Sequence, residues 1–282
     1  MALPASLVPT AFSLVAVVFW GTSDFLGGFA SRRTNAFLFT ALVNLSGFAV
    51  MASLALATHA IFPTRPQVLW ALAAGALGGT ALAFFYRALS TGNMGLNAPI
   101  AAVLSAAVPT AFSIATEGFP GIGPVLGFAL AAMGVWLIAR SEQFGGRPEG
   151  LGTAVLAGLG FAGFYLCVRQ TGDASALWVA CLTRSSALLV TSTLVLGGRH
   201  LRPVSRAVLG LALVTGVLDS GGTWVFVRAS QTGRLDAAVV LSSLYPAVTV
   251  LLAGWFLHER FTRWRTIGIL AALASVPLIA LH

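Results

Sequence analysis

Asp24, Arg184 and Asp219 are ionisable side chains inside stretches otherwise apolar enough for lipid. Holding an ionised group at mid-membrane costs about 2.5–3.5 kcal/mol even on the most lenient insertion scale. Such groups persist where they pair with one another or line a cavity. Arg184 and Asp219 therefore have two readings: a buried ion pair fixing two helices, or charged contacts for a solute or a proton. Asp24 lies nearer the end of its segment, within reach of water. Asp219, Gly222, Thr223 and Phe226 recur at i, i+3, i+4 and i+7, so they share one helix face, with Trp224 beside it. Asn97, Ser105, Ser242, Ser243 and Tyr245 add neutral hydrogen-bonding groups, and Trp20 and Tyr165 add aromatic surface. The candidate substrate site is Trp20, Asp24, Asn97, Arg184, Asp219, Thr223, Trp224 and Tyr245. It is expected near mid-membrane, between the first, fourth, seventh, eighth and ninth hydrophobic spans. An amino acid would offer its carboxylate to Arg184 and its ammonium to Asp219 or Asp24. An organic cation needs only a carboxylate and aromatic walls.

Other chemistries lack their residues. The four histidines (His59, His200, His258, His282) fall in links or at the terminus, so no intramembrane metal cluster is expected. The chain has 16 arginines and no lysine, which excludes the GxxxxGK[ST] nucleotide loop and with it an ATP-driven pump. Serines at membrane depth have no histidine or lysine partner in sequence, which argues against an intramembrane enzyme. Cys167 and Cys181 lie in or beside apolar spans and imply no disulfide framework. No cofactor is expected. The net charge of +8 comes from arginines in short links and helix ends, facing lipid head groups rather than nucleic acid.

The elements that must position these groups are membrane helices. The chain is 57% hydrophobic and 9% charged, with a mean hydropathy of +0.91. A soluble domain carries roughly a quarter charged residues. Spans of about 20 apolar residues read as 10–29, 36–58, 68–90, 96–117 and 123–140, then 151–170, 175–197, 206–229, 235–257 and 263–281. The first segment lacks a positive leader and runs past signal-peptide length, so it is read as a retained helix. No link is long enough for a folded extramembrane domain, so function must lie within the bundle. Gly75-x-x-x-Gly79 and Gly123-x-x-x-Gly127 are close-packing motifs. Pro109 and Pro246, inside the fourth and ninth spans, predict kinks.

The two halves align at an offset of 141 residues. Arg87-Ala88-x-x-Thr91-Gly92 returns as Arg228-Ala229-x-x-Thr232-Gly233, and Gly75, Phe85 and Gly127 return as Gly216, Phe226 and Gly268. Five spans per half is an odd number, so the second half enters the membrane in the opposite sense. The expected architecture is all-α: ten transmembrane helices in two inverted repeats, residues 1–140 and 151–282, joined by a linker at 141–150. Secondary transporters are commonly built on this plan.

Several short motifs resemble one known group. Phe19-Trp20-Gly21-Thr22-Ser23 is similar to the W-G-S/T-S signature of the drug/metabolite transporter superfamily. Cys181-Leu182-Thr183-Arg184-Ser185 resembles its a-a-l-R-f element, and Leu257-His258-Glu259-Arg260-Phe261, followed by Gly268, resembles the l-G-E-R-l…G end of an EamA domain. His258 stands where a glycine is usual. The first half has Glu117-Gly118-Phe119 at the corresponding place and Val43-Asn44 instead of the arginine, so it is the more divergent repeat. The resemblance implies a ten-helix carrier with a central cavity, working by alternating access. It also implies export of metabolites, amino acids and aromatic amino acids among them. The resulting expectation is a monomeric inner-membrane exporter of amino acids or similar small molecules, embedded in the lipid bilayer, with proton coupling. Efflux of organic cations is the alternative, and a channel is a third reading.

Orientation divides the two lines of reasoning. Eleven arginines follow the odd spans and four follow the even ones. The positive-inside rule then places both termini outside. The resemblance implies both inside. The charge count is preferred, because the start of the chain carries no basic residue to hold it inside.

Overall fold

The structure, a computed structural model, describes residues 7–91, 94–140, 150–256 and 262–280, which are helical apart from short links, with no strand among them. In chain order the helices are α1 (Val8–Ser31), α2 (Ala36–Ala57), α3 (Arg65–Thr91), α4 (Met94–Glu117), α5 (Ile122–Arg140), α6 (Leu151–Arg169), α7 (Ala176–Gly197), α8 (Arg206–Thr232), α9 (Leu235–Ser242), α10 (Tyr245–Phe256) and α11 (Arg263–Ala280). Eight stretches, α9 and α10 counted as one, are long and apolar enough to cross a membrane. Shorter apolar helices at Ile122–Leu137 and Thr266–Ile279 complete ten spans. Most of the expected linker, residues 141–149, lies outside the described residues.

Local chemistry sets where helices start. Asn35 Oδ1 accepts from the amides of Phe37 (3.0 Å) and Leu38 (3.2 Å), capping α2. Ser205 Oγ accepts from the Val208 amide and caps α8 in the same way. Several hydroxyls inside the bundle return to their own helix, as Thr40 does to the Ala36 carbonyl (2.8 Å) and Thr191 to Ala187 (2.7 Å). That self-bonding lets a buried hydroxyl exist where no water reaches it. Large apolar side chains such as Leu45, Leu189, Leu213 and Trp255 point outward instead, the arrangement lipid demands.

The packing repeats across the two halves. Helix α1 packs on α8 as α6 packs on α3, and α4 packs on α6 as α9 and α10 pack on α1. Helix α3 meets α7 as α8 meets α2, while α2 with α7 and α5 with α11 form self-related pairs. With five spans per half, this is a pseudo-twofold relation between inverted repeats. The close-packing motif in α3 acts here: a Cβ on Gly75 would overlap the Thr183 carbonyl, and one on Gly79 would stand 2.5 Å from Ala187 Cβ. Helices α3 and α7 therefore touch backbone to backbone.

The two expected kinks have different outcomes. Helix α4 runs unbroken through Pro109. The ninth span is interrupted outright at Ser243 and Leu244, one turn before the expected bend. Pro246 has no N–H to offer the Ser242 carbonyl, so α9 cannot continue into α10. Tight bonds from Leu244 N to Leu241 O (3.2 Å) and Ala247 N to Leu244 O (3.0 Å) bridge the gap. Thr249 Oγ1 donates to the Gly21 carbonyl at 3.0 Å and ties α10 to α1. The break delivers Tyr245 to the interior.

Candidate functional site

A cavity lies inside the bundle, walled by α1, α3, α6, α7, α8 and the start of α10. Its empty space, open mouth included, is about 530 Å³. Trp20, Asp24, Arg184, Asp219, Thr223 and Tyr245 all line it, so six of the eight expected residues converge.

Two expected residues do not. Trp224 is 38% exposed on the outer surface of α8. One residue along a helix turns the side chain by about 100°, so Thr223 facing the cavity sends Trp224 towards lipid. Asn97 is buried, but its Nδ2 donates to the Ala88 carbonyl at 2.8 Å, tying α4 to the end of α3. None of the described residues of the fourth span lines the cavity. Instead α3 supplies Gly75, Gly78, Gly79 and Leu82, and α6 supplies Phe161, Phe164 and Tyr165. Asp24 is also placed differently from expectation: it is 5% exposed, with the cavity in front of it.

Arg184 and Asp219 form an ion pair through Arg184 Nη1 and Asp219 Oδ2. Nη1 also donates to Asn44 Oδ1 at 3.3 Å, and Nη2 to Thr223 Oγ1 at 2.6 Å. Arg184 is thus held from α2 and α8 at once. The Thr223 hydroxyl donates on to the Asp219 carbonyl (3.1 Å), closing the network on α8. Asn44 stands close to where the repeat alignment would put the first half's arginine, and here it serves the second half's arginine as an acceptor.

Aromatic rings form the rest of the wall. Trp20 Nε1 donates to the Asp219 carbonyl at 3.2 Å. The indole lies against Gly222, where a Cβ would stand 2.6 Å from Trp20 Cδ1. Trp20 and Tyr165 have ring centroids 6.0 Å apart, Phe164 and Tyr165 5.4 Å, and Tyr165 and Phe226 4.8 Å. Tyr245 stands edge-on to Phe85 at 6.1 Å, and its hydroxyl is buried without a hydrogen-bond partner. The three tyrosines of the chain, Tyr86, Tyr165 and Tyr245, all lie within electrostatic range of Asp24. Among the described residues none gives the Asp24 carboxylate a hydrogen bond or an ion pair.

A second polar cluster lies where α4, α6 and α8 end and α9 begins. Arg169 donates to Glu117 Oε1 (3.0 Å) and to the Ser230 carbonyl (2.9 Å). Arg234 donates to the Gly118 carbonyl (2.8 Å) and pairs with the fully buried Asp236 (2.9 Å). The bond to Asp236 raises the Arg234 pKa above its ordinary value. Glu117 is therefore the ion-pair partner of Arg169. Arg87 and Arg228 are exposed at helix ends, as expected. Trp178 donates to the Ala60 carbonyl and packs edge-on to Phe62 at the same face. Among the described residues no group of His, Cys, Asp and Glu could hold a metal ion.

A cavity with charged and aromatic lining, enclosed by a bundle of apolar helices, fits a multi-pass membrane transporter of small molecules. Residues 149–281 match the EamA-like transporter family. An uncharacterized protein of Methanocaldococcus jannaschii is 25% identical over 133 residues, which is 46% of this chain and 97% of that protein. The fold also matches a protein crystal structure with a TM-score of 0.75 at 23% identity, covering 97% of this chain and 96% of that one.

Proposed function

We propose that the protein is a carrier for small organic cations, amines with an aromatic or apolar body, and that it works by alternating access in the cell inner membrane. Asp24 carries the reading. Arg184 and Asp219 cancel, so the cavity holds one uncompensated carboxylate among aromatic rings. A carboxylate away from water needs a cation beside it. A substrate ammonium supplies one, and the faces of Trp20, Phe164 and Tyr165 stabilise the same charge by cation–π attraction.

A proton is the other cation available to Asp24. The groups within electrostatic range of it are Asp219 on α8, Tyr86 on α3, Tyr165 on α6 and Tyr245 on α10, and Arg184 on α7 lines the same cavity. Proton and amine compete for one carboxylate, so loading one expels the other. With protons flowing inward, such exchange moves amines outward. The amino-acid reading retains one supporting observation, the presence of Arg184 in the cavity wall. Its terminal nitrogens are already engaged, so a substrate carboxylate would have to replace Asp219.

The test is a binding series on the purified protein with phenethylamine, phenylalanine and 3-phenylpropionate, which share the ring and differ in charge. The amine binds best and the acid worst if the reading holds. Preference for the acid would defeat it.

A further inference from the structure

We infer that Asp219 is a specificity-determining residue, a built-in stand-in for a substrate carboxylate, and that it keeps zwitterions out of the cavity by occupying Arg184. This rests on the amine reading of the same site and adds what that reading leaves open: why a cavity containing an arginine prefers amines to amino acids.

Arg184 is the cation in the cavity lining, and its Nη1 is on Asp219 Oδ2. Its Nη2 is on Thr223 and its Nη1 also reaches Asn44. The buried Nε has no partner and is not reached from the cavity. An entering carboxylate therefore finds both terminal nitrogens already engaged, Nη1 by two acceptors and Nη2 by Thr223, so it can make the paired contact to the guanidinium only by taking the place of Asp219. It also meets the uncompensated carboxylate of Asp24, which repels it. Asp219 is anchored independently of its charge. Its backbone carbonyl accepts from Trp20 and Thr223, so removing the side-chain carboxylate leaves those contacts in place.

Vacating that carboxylate changes both charge and shape. The cavity then holds one arginine and one carboxylate, Asp24, on different helices. That is the charge pattern of an α-amino acid reversed. Asp219→Ser empties the position, whereas Asp219→Asn removes the charge but keeps an amide in the way. The two variants separate an effect of space from an effect of net charge.

The experiment is calorimetric binding of phenethylamine and phenylalanine to the purified full chain. Wild type binds phenylalanine at least about tenfold more weakly than phenethylamine, one like-charge penalty of 1.4 kcal/mol or more. Asp219→Ser tightens phenylalanine by at least about tenfold, the scale of one charge-assisted contact, and Asp219→Asn tightens it less. Adding Arg184→Gln to Asp219→Ser removes the gain, because the unmasked cation is gone. If Asp219→Ser does not fold, Asp219→Ala vacates the same place and carries the same expectation. A folded Ser or Ala variant with no gain for phenylalanine overturns the inference while leaving amine binding intact. Equal wild-type affinity for the two ligands also overturns it. Absence of amine binding to the wild type defeats the amine reading, and the inference falls with it.

Discussion

Replacing Asp24 with Asn separates binding from folding, because the two should move in opposite directions. The side chain is 5% exposed and has no partner among the described residues, so its charge adds nothing to the empty fold. Removing one partner of a desolvated charge pair costs about 2–5 kcal/mol of binding. At 1.4 kcal/mol per factor of ten, the lower bound is about 30-fold in Kd. The cation–π contribution from Trp20 and Tyr165, about 0.5–2 kcal/mol, survives the substitution and keeps residual binding measurable. The empty protein, relieved of a buried carboxylate, should melt at the same temperature or higher. Phenethylamine binding by calorimetry and thermal unfolding in detergent give both numbers from one preparation. Wild-type binding should weaken as pH falls, because the proton occupies the same carboxylate, and Asp24→Asn should flatten that dependence. Affinity within threefold of wild type, or a variant that binds as before but unfolds earlier, would show that Asp24 has a structural partner the reasoning missed.

The remaining expectations concern the scaffold. Arg184→Leu leaves Asp219 buried without its cation and should cost about 3–5 kcal/mol of stability in denaturant titration. Leucine at both positions should recover most of that loss, because buried ion pairs add little net stability over apolar packing. Gly75→Leu forces a side chain into the Thr183 backbone and should destabilise by at least about 1–3 kcal/mol, seen as a lower melting temperature; a wild-type value would mean α3 and α7 are not in contact. The arginines at the ends of α1, α3 and α7 collect on one face of the bundle, opposite the termini, so a reporter fused to the C-terminus should be active only outside the cytoplasm.

What the sequence revealed follows from contrast. Asp24, Arg184 and Asp219 stand out because a charge in an apolar run is costly whatever the tertiary structure. The spans stand out because links such as Ser31–Asn35 interrupt them. Phe161, Phe164, Gly75 and Gly78 could not be picked out in the same way. An apolar residue on an apolar helix has the same hydropathy whether it faces lipid or a cavity, and only packing decides which. Trp224 shows the same limit, since its neighbour Thr223 lines the cavity and a single helical step separates cavity from lipid. Asn97 was recognised as polar and buried, but the Ala88 carbonyl nine positions back claims it. The break in the ninth span was visible as Pro246. Which prolines break a helix depends on what replaces the lost bond, and Pro109 lies in an unbroken one.

Flux tests the central claim most directly, because it joins the cavity to movement across the membrane. The probe is a permanently charged cation, 2-phenylethyltrimethylammonium, which cannot leak through lipid as a neutral base. Purified protein in liposomes should accumulate it saturably when the interior is acidified, in exchange for protons, and Asp24→Asn should abolish that uptake. A flux that does not saturate would make the protein a channel. Uptake of phenylalanine with none of the cation would place the substrate's carboxylate, not its amine, at the centre of the site and contradict the account.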